Sequence, residues 1–382
     1  MGATSSKSTP QTALKRVTMI GVPVGYGQDW ELGVEDAPDS FRAGGIGKVI
    51  EEEGYVFVDD GDVKPLADPM SPQSLRKSPR KEASSVPGVI KNGEVIGATL
   101  KPLYEKILAA ATSGSFVLNV GGDHSLGSVS LLSMLEAYPD LGVIWVDAHG
   151  DCNTPTTSES GNYHGMSAAH ALGWFQGGKG WEWLERRSRG RPSNQGAPVR
   201  RRPNYLPEER LVYIGLRDLD QKEKELLLKS KVKVFTMRDI DKLGIGRVME
   251  EALEHLARSY DDVSSTSCLS KRSPGNSFKK LHARLPPIHL SLDVDSIDPS
   301  VAPGTGTKAR GGLSYRESHF ICHALAETGR LVGMDVVEVN PRLEEVPTQG
   351  RMHGDSELVT AASETVRLGI ELVSCALGRR LL

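Results

Sequence analysis

The chain has 382 residues, 38% hydrophobic and 25% charged, an ordinary globular composition with ample material for a large core. A net charge of −3 and a pI near 6.4 give no global field that favours nucleic acid or an anionic membrane. Cys152, Cys268, Cys322 and Cys375 form no C-x-x-C pair and no disulfide framework, and no run approaches the roughly 18 uncharged apolar residues of a membrane span. The expected setting is therefore reducing and cytoplasmic, with no transmembrane segment.

Residues 1–16 lack the apolar core of a secretory signal and read as a flexible polar tail. Gly2 and Ser6 fit an N-myristoylation pattern, though one acyl chain without a nearby cysteine or polybasic run would anchor weakly. A mitochondrial transit peptide fits less well, because the segment is poor in arginine. From residue 17 onward, apolar runs of strand length recur: 17–22, 55–58, 115–120, 142–146, 210–215, 232–235, 287–292 and 333–337. Residues 126–137, 246–258 and 356–377 carry apolar positions at three- and four-residue spacing, the mark of helices. Strands alternating with helices, most strands continuously apolar, predict an α/β fold with a mostly parallel sheet covered on both faces. The alternation continues to the end, so residues 17–382 are expected to form one domain. Three stretches near 65–90, 177–208 and 261–286, rich in turn residues and Lys or Arg, read as surface loop insertions. The arginine-dense one could dock an acidic partner or RNA, but no aromatic residue alternates with its arginines, so a solvated loop is expected.

In an open parallel sheet, ligands gather beyond the carboxyl ends of the strands. There the sequence places GGDHS (121–125), DAHGDCN (147–153), LRDLD (216–220), DVDSIDP (293–299) and EVNP (338–341). A lone aspartate at a strand end is usually a cap, yet this many polar sets on one rim point to a site. Alternation along an extended chain would put Asp147, His149 and Asp151 on one side, and Asp293 with Asp295 likewise. Carboxylates packed together repel and are driven to protonate, and divalent cations remove that conflict. With His124 the set offers four aspartates and two histidines, enough for two ions. Oxygen-dominated ligation with imidazole and no thiolate suits Mn²⁺, with Co²⁺ or Fe²⁺ the other fits. Hydrolysis of an unreactive carbon centre is the expected use.

GGDHS, DAHGDCNTP with SGNYHG (160–165), SLDVDSIDPSVAPGTGT (291–307) and EVNP resemble the ureohydrolases, and among them the arginases. GLRDLD (215–220) and MRDIDKLGIGRVMEEAL (237–253) extend the likeness, which spans roughly residues 17–377 apart from the insertions. The resemblance implies a three-layer arginase-like fold, two Mn²⁺ per subunit, and hydrolysis of L-arginine to L-ornithine and urea by a hydroxide held between the metals. One ion would take His124, Asp147, Asp151 and Asp293; the other would take Asp147, His149, Asp293 and Asp295, the exact partition staying open. Asp151 would pass a proton to the leaving amine, His164 would shuttle protons, and Glu338 would pair with the guanidinium. Asn153 and Ser160 match positions that read the α-carboxylate, Asp220 one that reads the α-amino group, and Thr307 one beside the catalytic centre. A homo-oligomer, a trimer by resemblance, is implied, with Arg316 and Glu317 at subunit contacts. Agmatine or another guanidino compound is the alternative substrate, and a catalytically inactive scaffold is the alternative of another class. The chain departs from the family at GVPVGYGQ (21–28), in the helix opening LGSVSLLS (126–133) and at Lys308; none of these is a candidate metal ligand.

Overall fold

Every expected apolar run forms a strand: Arg16–Val22 (β1), Val56–Asp62 (β2), Phe116–Gly121 (β3), Gly142–Val146 (β4), Leu211–Leu216 (β5), Lys233–Thr236 (β6), Ile288–Asp293 (β7) and Leu331–Val337 (β8). All pair in parallel in one sheet of order β2-β1-β3-β8-β7-β4-β5-β6, with helices around it. The computed structural model describes residues 15–28, 33–64, 88–188, 205–264, 282, 284–344 and 362–379. Gly2, Cys268 and most of the three insertions lie outside the described residues.

The inner strands β4, β5 and β7 are buried along their whole length, as continuous apolar runs require when both faces are covered. Successive residues serve opposite faces: Ile144 and Val146 join one apolar layer, Val143 and Trp145 the other. The edge strand β2 runs beyond the expected Val58 into VDDGD. Its acids are tolerated because Arg42 binds Asp59 and Asp62 at 2.8 and 2.7 Å, and Lys106 binds Asp60 at 2.8 Å. Charged side chains on an edge also discourage pairing with another sheet.

The expected helices are present at Leu126–Ala137, Ile245–Ser264 and Glu364–Ala376; residues 356–361 of the last expectation lie outside the described residues. No described helix is long and apolar enough to cross a membrane. The loop expectation for 177–208 needs correction at its start. Trp181 is fully buried, its ring 5.0 Å from Tyr163 and 4.7 Å from His170, and Glu182–Ser188 is helical. The aromatic burial of that segment outweighs its turn-rich composition. Cys152, Cys322 and Cys375 are free and buried.

The sheet order decides where chemistry can gather. β7 and β8, last in the chain, insert between β3 and β4, so the carboxyl ends of β3, β8, β7 and β4 become neighbours. Residues 124, 147, 293 and 338 are thereby delivered to one rim from four distant parts of the sequence.

Candidate metal centre

His124 follows β3 through a Gly121-Gly122 turn whose second glycine is obligatory, since a Cβ there would sit 1.8 Å from the backbone oxygen of Val24. Its Nδ1 lies 3.2 Å from Asp147, 3.0 Å from Asp151 and 3.3 Å from Asp293, all through Oδ2. A second group adjoins the first: His149 Nδ1 lies 3.0 Å from Asp295 Oδ2 and 3.6 Å from Asp147 Oδ1. Five of the six candidate ligands fall in two groups that could each hold an ion and that share Asp147: His124, Asp147 and Asp293, and Asp147, His149 and Asp295; Asp151 adjoins the first through His124.

They do not converge by strand alternation, as the sequence suggested. β4 ends at Val146, and Asp147 Oδ1 accepts a hydrogen bond from His149 N–H at 2.7 Å, which turns the chain. Asp293 repeats the device, its Oδ1 accepting from Asp295 N–H at 2.8 Å at the start of a 3₁₀ turn. Asp151 reaches His124 from a left-handed backbone with φ +47°, and Glu338 has φ +60°. Left-handed non-glycine residues cost about 1–3 kcal/mol each and cluster at functional sites.

Neighbours that the sequence does not single out hold the candidate ligands in place. The Trp145 ring stacks on His124 at 4.1 Å, and its Nε1–H donates to Asp147 Oδ2 at 2.9 Å. Ser291 Oγ lies 2.9 Å from His124 Nε2. Trp145 and Ser291 each precede a ligand aspartate by two residues, so a polar contact toward the site was readable from their spacing. Arg217 donates to the carbonyls of Ser296 and Asp295 at 3.0 and 2.6 Å and of Ala309 at 2.8 Å. It pins the segment that carries Asp295 and Thr307. Thr307 Oγ1 donates to Asp295 Oδ2 at 2.7 Å.

Four carboxylates and two imidazoles share this buried volume, and their charges oppose one another. Burial works against a charged His124, yet the carboxylates of Asp147, Asp151 and Asp293 push its pKa well up. Burial, reinforced by Asp147, lifts Asp151 to about 6. Burial also raises Asp293, with Asp295 and Asp147 adding repulsion. Excess negative charge in a dry site is the condition that divalent cations relieve. His124 Nδ1 and Asp151 Oδ2 are buried and make no well-formed hydrogen bond although their contacts are short, so both atoms are left open to another partner. The donor set fits cations.

Beside this cluster, Glu338 Oε1 accepts from His124 N–H at 2.9 Å and pairs with His164 Nδ1 at 3.1 Å, while its buried Oε2 has no hydrogen-bond partner. Burial would lower the His164 pKa, but the hydrogen bond and charge of Glu338, with Asp151 and Asp123 behind, raise it to about 9. Asp123, unnoticed in the sequence reading, accepts from Gly27 N–H at 2.7 Å, and burial followed by repulsion from Glu338 lifts it to about 6. Farther out, Asn153 Nδ2 donates to Asp220 Oδ2 at 2.6 Å, while Asp220 Oδ1 caps the helix Gln221–Lys229. Ser160 lies on an exposed bend, 3.4 Å from Ser158. Arg316 is exposed, and Glu317 closes a capping box with Ser314.

The arginase family model matches residues 15–275 and 262–378. The arginase of Plasmodium berghei is 37% identical over 372 residues, 95% of this chain and 93% of that one. The arginase of Glaciozyma antarctica is 35% identical over 375 residues, covering 98% and 90%. Among solved structures, the arginase of Bacillus caldovelox superposes with a TM-score of 0.70 at 31% identity, over 97% of this chain and all of that one. With family motifs, sheet and clustered ligands in agreement, the chain belongs to the arginase family and is a hydrolase of the arginase type.

Proposed function

We propose that the protein hydrolyses L-arginine to L-ornithine and urea with two Mn²⁺ ions. The observation that carries this reading is the pair of His–Asp groups sharing Asp147, set beside the unpartnered Oε2 of Glu338. His124, Asp147, Asp151 and Asp293 would hold one ion, and Asp147, His149, Asp293 and Asp295 the other. Hard carboxylate oxygens with two imidazole nitrogens and no thiolate support Mn²⁺. Ions bound there would neutralise the four carboxylates and lower the pKa of water at the site.

The remaining work falls to the chain's own side chains. Glu338 would hold the guanidinium: Oε1 is occupied by His124 N–H and His164, and the buried, unpartnered Oε2 is left to accept a guanidinium N–H. Hydrolysis forms a C–O bond and breaks the C–N bond to the ornithine side chain, whose nitrogen must gain a proton. Asp151 would carry that proton across the site. His164, 19% exposed beside a Glu338 that is 1% exposed, stands between the dry site and solvent and would exchange the proton outward. Asn153 and Ser160 would read the α-carboxylate and Asp220 the α-amino group, with Thr307 fixing Asp295. A homotrimer using the Arg316 and Glu317 surface, and cytoplasmic residence, belong to the same reading.

The deciding experiment measures urea release from L-arginine and from agmatine, each with and without added Mn²⁺. Arginine turnover that requires metal is expected, with agmatine far behind because it lacks the carboxylate that Asn153 and Ser160 would read. No urea from arginine in manganese-loaded protein would end this reading.

Replacing Asp295 by alanine should remove metal and nearly all turnover, since it deletes the partner of His149 and the acceptor of Thr307. Elemental analysis finding two ions retained in that variant would contradict the ligand assignment. Glu338→Gln should lower kcat/KM for arginine by at least ~100-fold, because one buried charge-assisted pair is worth about 3 kcal/mol or more, while metal content stays at the wild-type level. Unchanged kinetics would remove its role. Glu338, Asp151 and Asp123 face His164 and hold its pKa near 9, and only the neutral imidazole can accept a proton. Activity should therefore climb as pH rises from neutral toward about 9, and His164→Asn should be slower with that limb flattened. An identical limb in the variant would assign the titration elsewhere.

A further inference from the structure

A second set of buried polar groups meets His124 at its other ring nitrogen, and the chemistry proposed above makes no use of it. Asp335, on β8, is fully buried at its centre. Its Oδ1 accepts from Asn119 Nδ2 and from Ser130 Oγ, each at 2.7 Å. Its Oδ2 accepts from Ser291 Oγ at 3.1 Å and lies 3.0 Å from His289 Nε2. Asn119, Ser130, His289 and Ser291 are all buried too, on β3, the helix Leu126–Ala137 and β7. Ser291 Oγ is the link outward, 2.9 Å from His124 Nε2.

The direction of each hydrogen bond follows from proton counting. Burial works against an ionised Asp335, yet the charge of His289 and the surrounding donors hold its carboxyl below the usual range. An ionised carboxylate only accepts, and a serine hydroxyl has one proton. Ser291 gives that proton to Asp335, so toward His124 its oxygen can only accept. His124 Nε2 must then keep a ring proton, so Nδ1, facing Asp147, Asp151 and Asp293, is the nitrogen whose lone pair a cation would take. We propose that Asp335 is a positioning residue for cation binding: acting through Ser291, it fixes His124 in the tautomer that offers Nδ1 as a ligand. The proposal rests on the metal reading above. A network that merely ties β3, β7 and β8 together would affect stability without singling out one ion.

Asp335→Asn separates the two roles. It keeps the shape but brings an amide that can donate to Ser291, turning the serine proton toward His124 Nε2 and the ring proton to Nδ1. Mn²⁺ would be titrated calorimetrically into the full chain after chelator treatment, with metal counted after gel filtration and folding followed by circular dichroism. The wild type should take two ions. Asp335→Asn should keep one and bind the other ~10–100-fold more weakly, the usual loss when a partner of a metal-bound histidine is changed. Ser291→Ala should produce the same selective loss, and the double variant no more than Ser291→Ala alone, because Asp335 acts through that hydroxyl. Asn119→Ala removes a donor to Asp335 without reversing Ser291; it should lower the thermal midpoint and keep both ions. Two ions at wild-type affinity in folded Asp335→Asn would overturn the proposal, as would loss of the same ion in Asn119→Ala. Should Asp335→Asn fail to fold, Ser291→Ala decides in its place, and two ions at wild-type affinity there would overturn it. A wild-type chain that binds no Mn²⁺ would instead overturn the metal reading itself.

Discussion

Four carboxylates crowded around two imidazoles, at the carboxyl ends of two buried strands, are the constraint around which this molecule is arranged. Two like charges about 4 Å apart repel by roughly 4 kcal/mol at an effective dielectric of about 20, and Asp147, Asp293 and Asp295 are at most 3% exposed. Two imidazoles cannot balance four carboxylates, so the demand for further positive charge is built into the fold. A parallel sheet covered on both faces leaves its strand ends as the place where such a demand can be met. Insertion of β7 and β8 between β3 and β4 then concentrates it at four adjacent ends.

Rigidity around the cluster comes from groups that also answer the charge. Arg217 brings a guanidinium and spends it on backbone carbonyls of the segment carrying Asp295, so one side chain supplies countercharge and geometry together. Trp145 does the same in apolar form, stacking on His124 while its indole N–H holds Asp147. The two Asx turns, at Asp147 and Asp293, use one carboxylate oxygen to bend the chain and leave the other facing the site. Left-handed Asp151 and Glu338 complete the set. Local strain at both is tolerated because packed strands on either side fix where the chain must pass.

Much of this was legible in the residue order. The apolar runs found every strand to within a few residues, and the polar clusters after them identified His124, Asp147, His149, Asp151, Asp293 and Asp295, which the fold brings together. Strand alternation points to these residues but not to their geometry, since β4 ends at Val146 and side-chain-to-backbone bonds take over. The two-residue spacing marks Trp145 and Ser291 as neighbours of Asp147 and Asp293, but their contact with His124 depends on which strand lies alongside, and strand order is not written locally. Asn119, His289 and Asp335 share that property. Each is a polar residue inside an apolar run, a visible anomaly, but only the adjacency of β3, β8 and β7 shows that the anomalies meet. The buried start of the 177–208 segment is hidden for the opposite reason: Trp181, which packs, is outweighed in composition by the arginines and prolines after it.

The site is also graded from dry to wet, and that gradient suits a substrate with two unlike ends. Glu338, His124 and the four aspartates lie at the buried end, His149 and His164 are partly open, and Ser160 stands on an exposed bend. In the proposed reading the guanidinium must lose its water to meet Glu338, because an ion pair there gains strength from the same low dielectric that makes unpaired Oε2 costly. In the same reading the α-carboxylate and α-amino group would keep most of their hydration and need only orientation, which Ser160 and the capping Asp220 could give. Asp220 illustrates the economy: one oxygen is committed to a helix N-terminus, and the other steadies Asn153. A side chain tied to a helix cap is held in place by the fold before any ligand arrives, and in the proposed reading less freedom would be lost in the protein on binding.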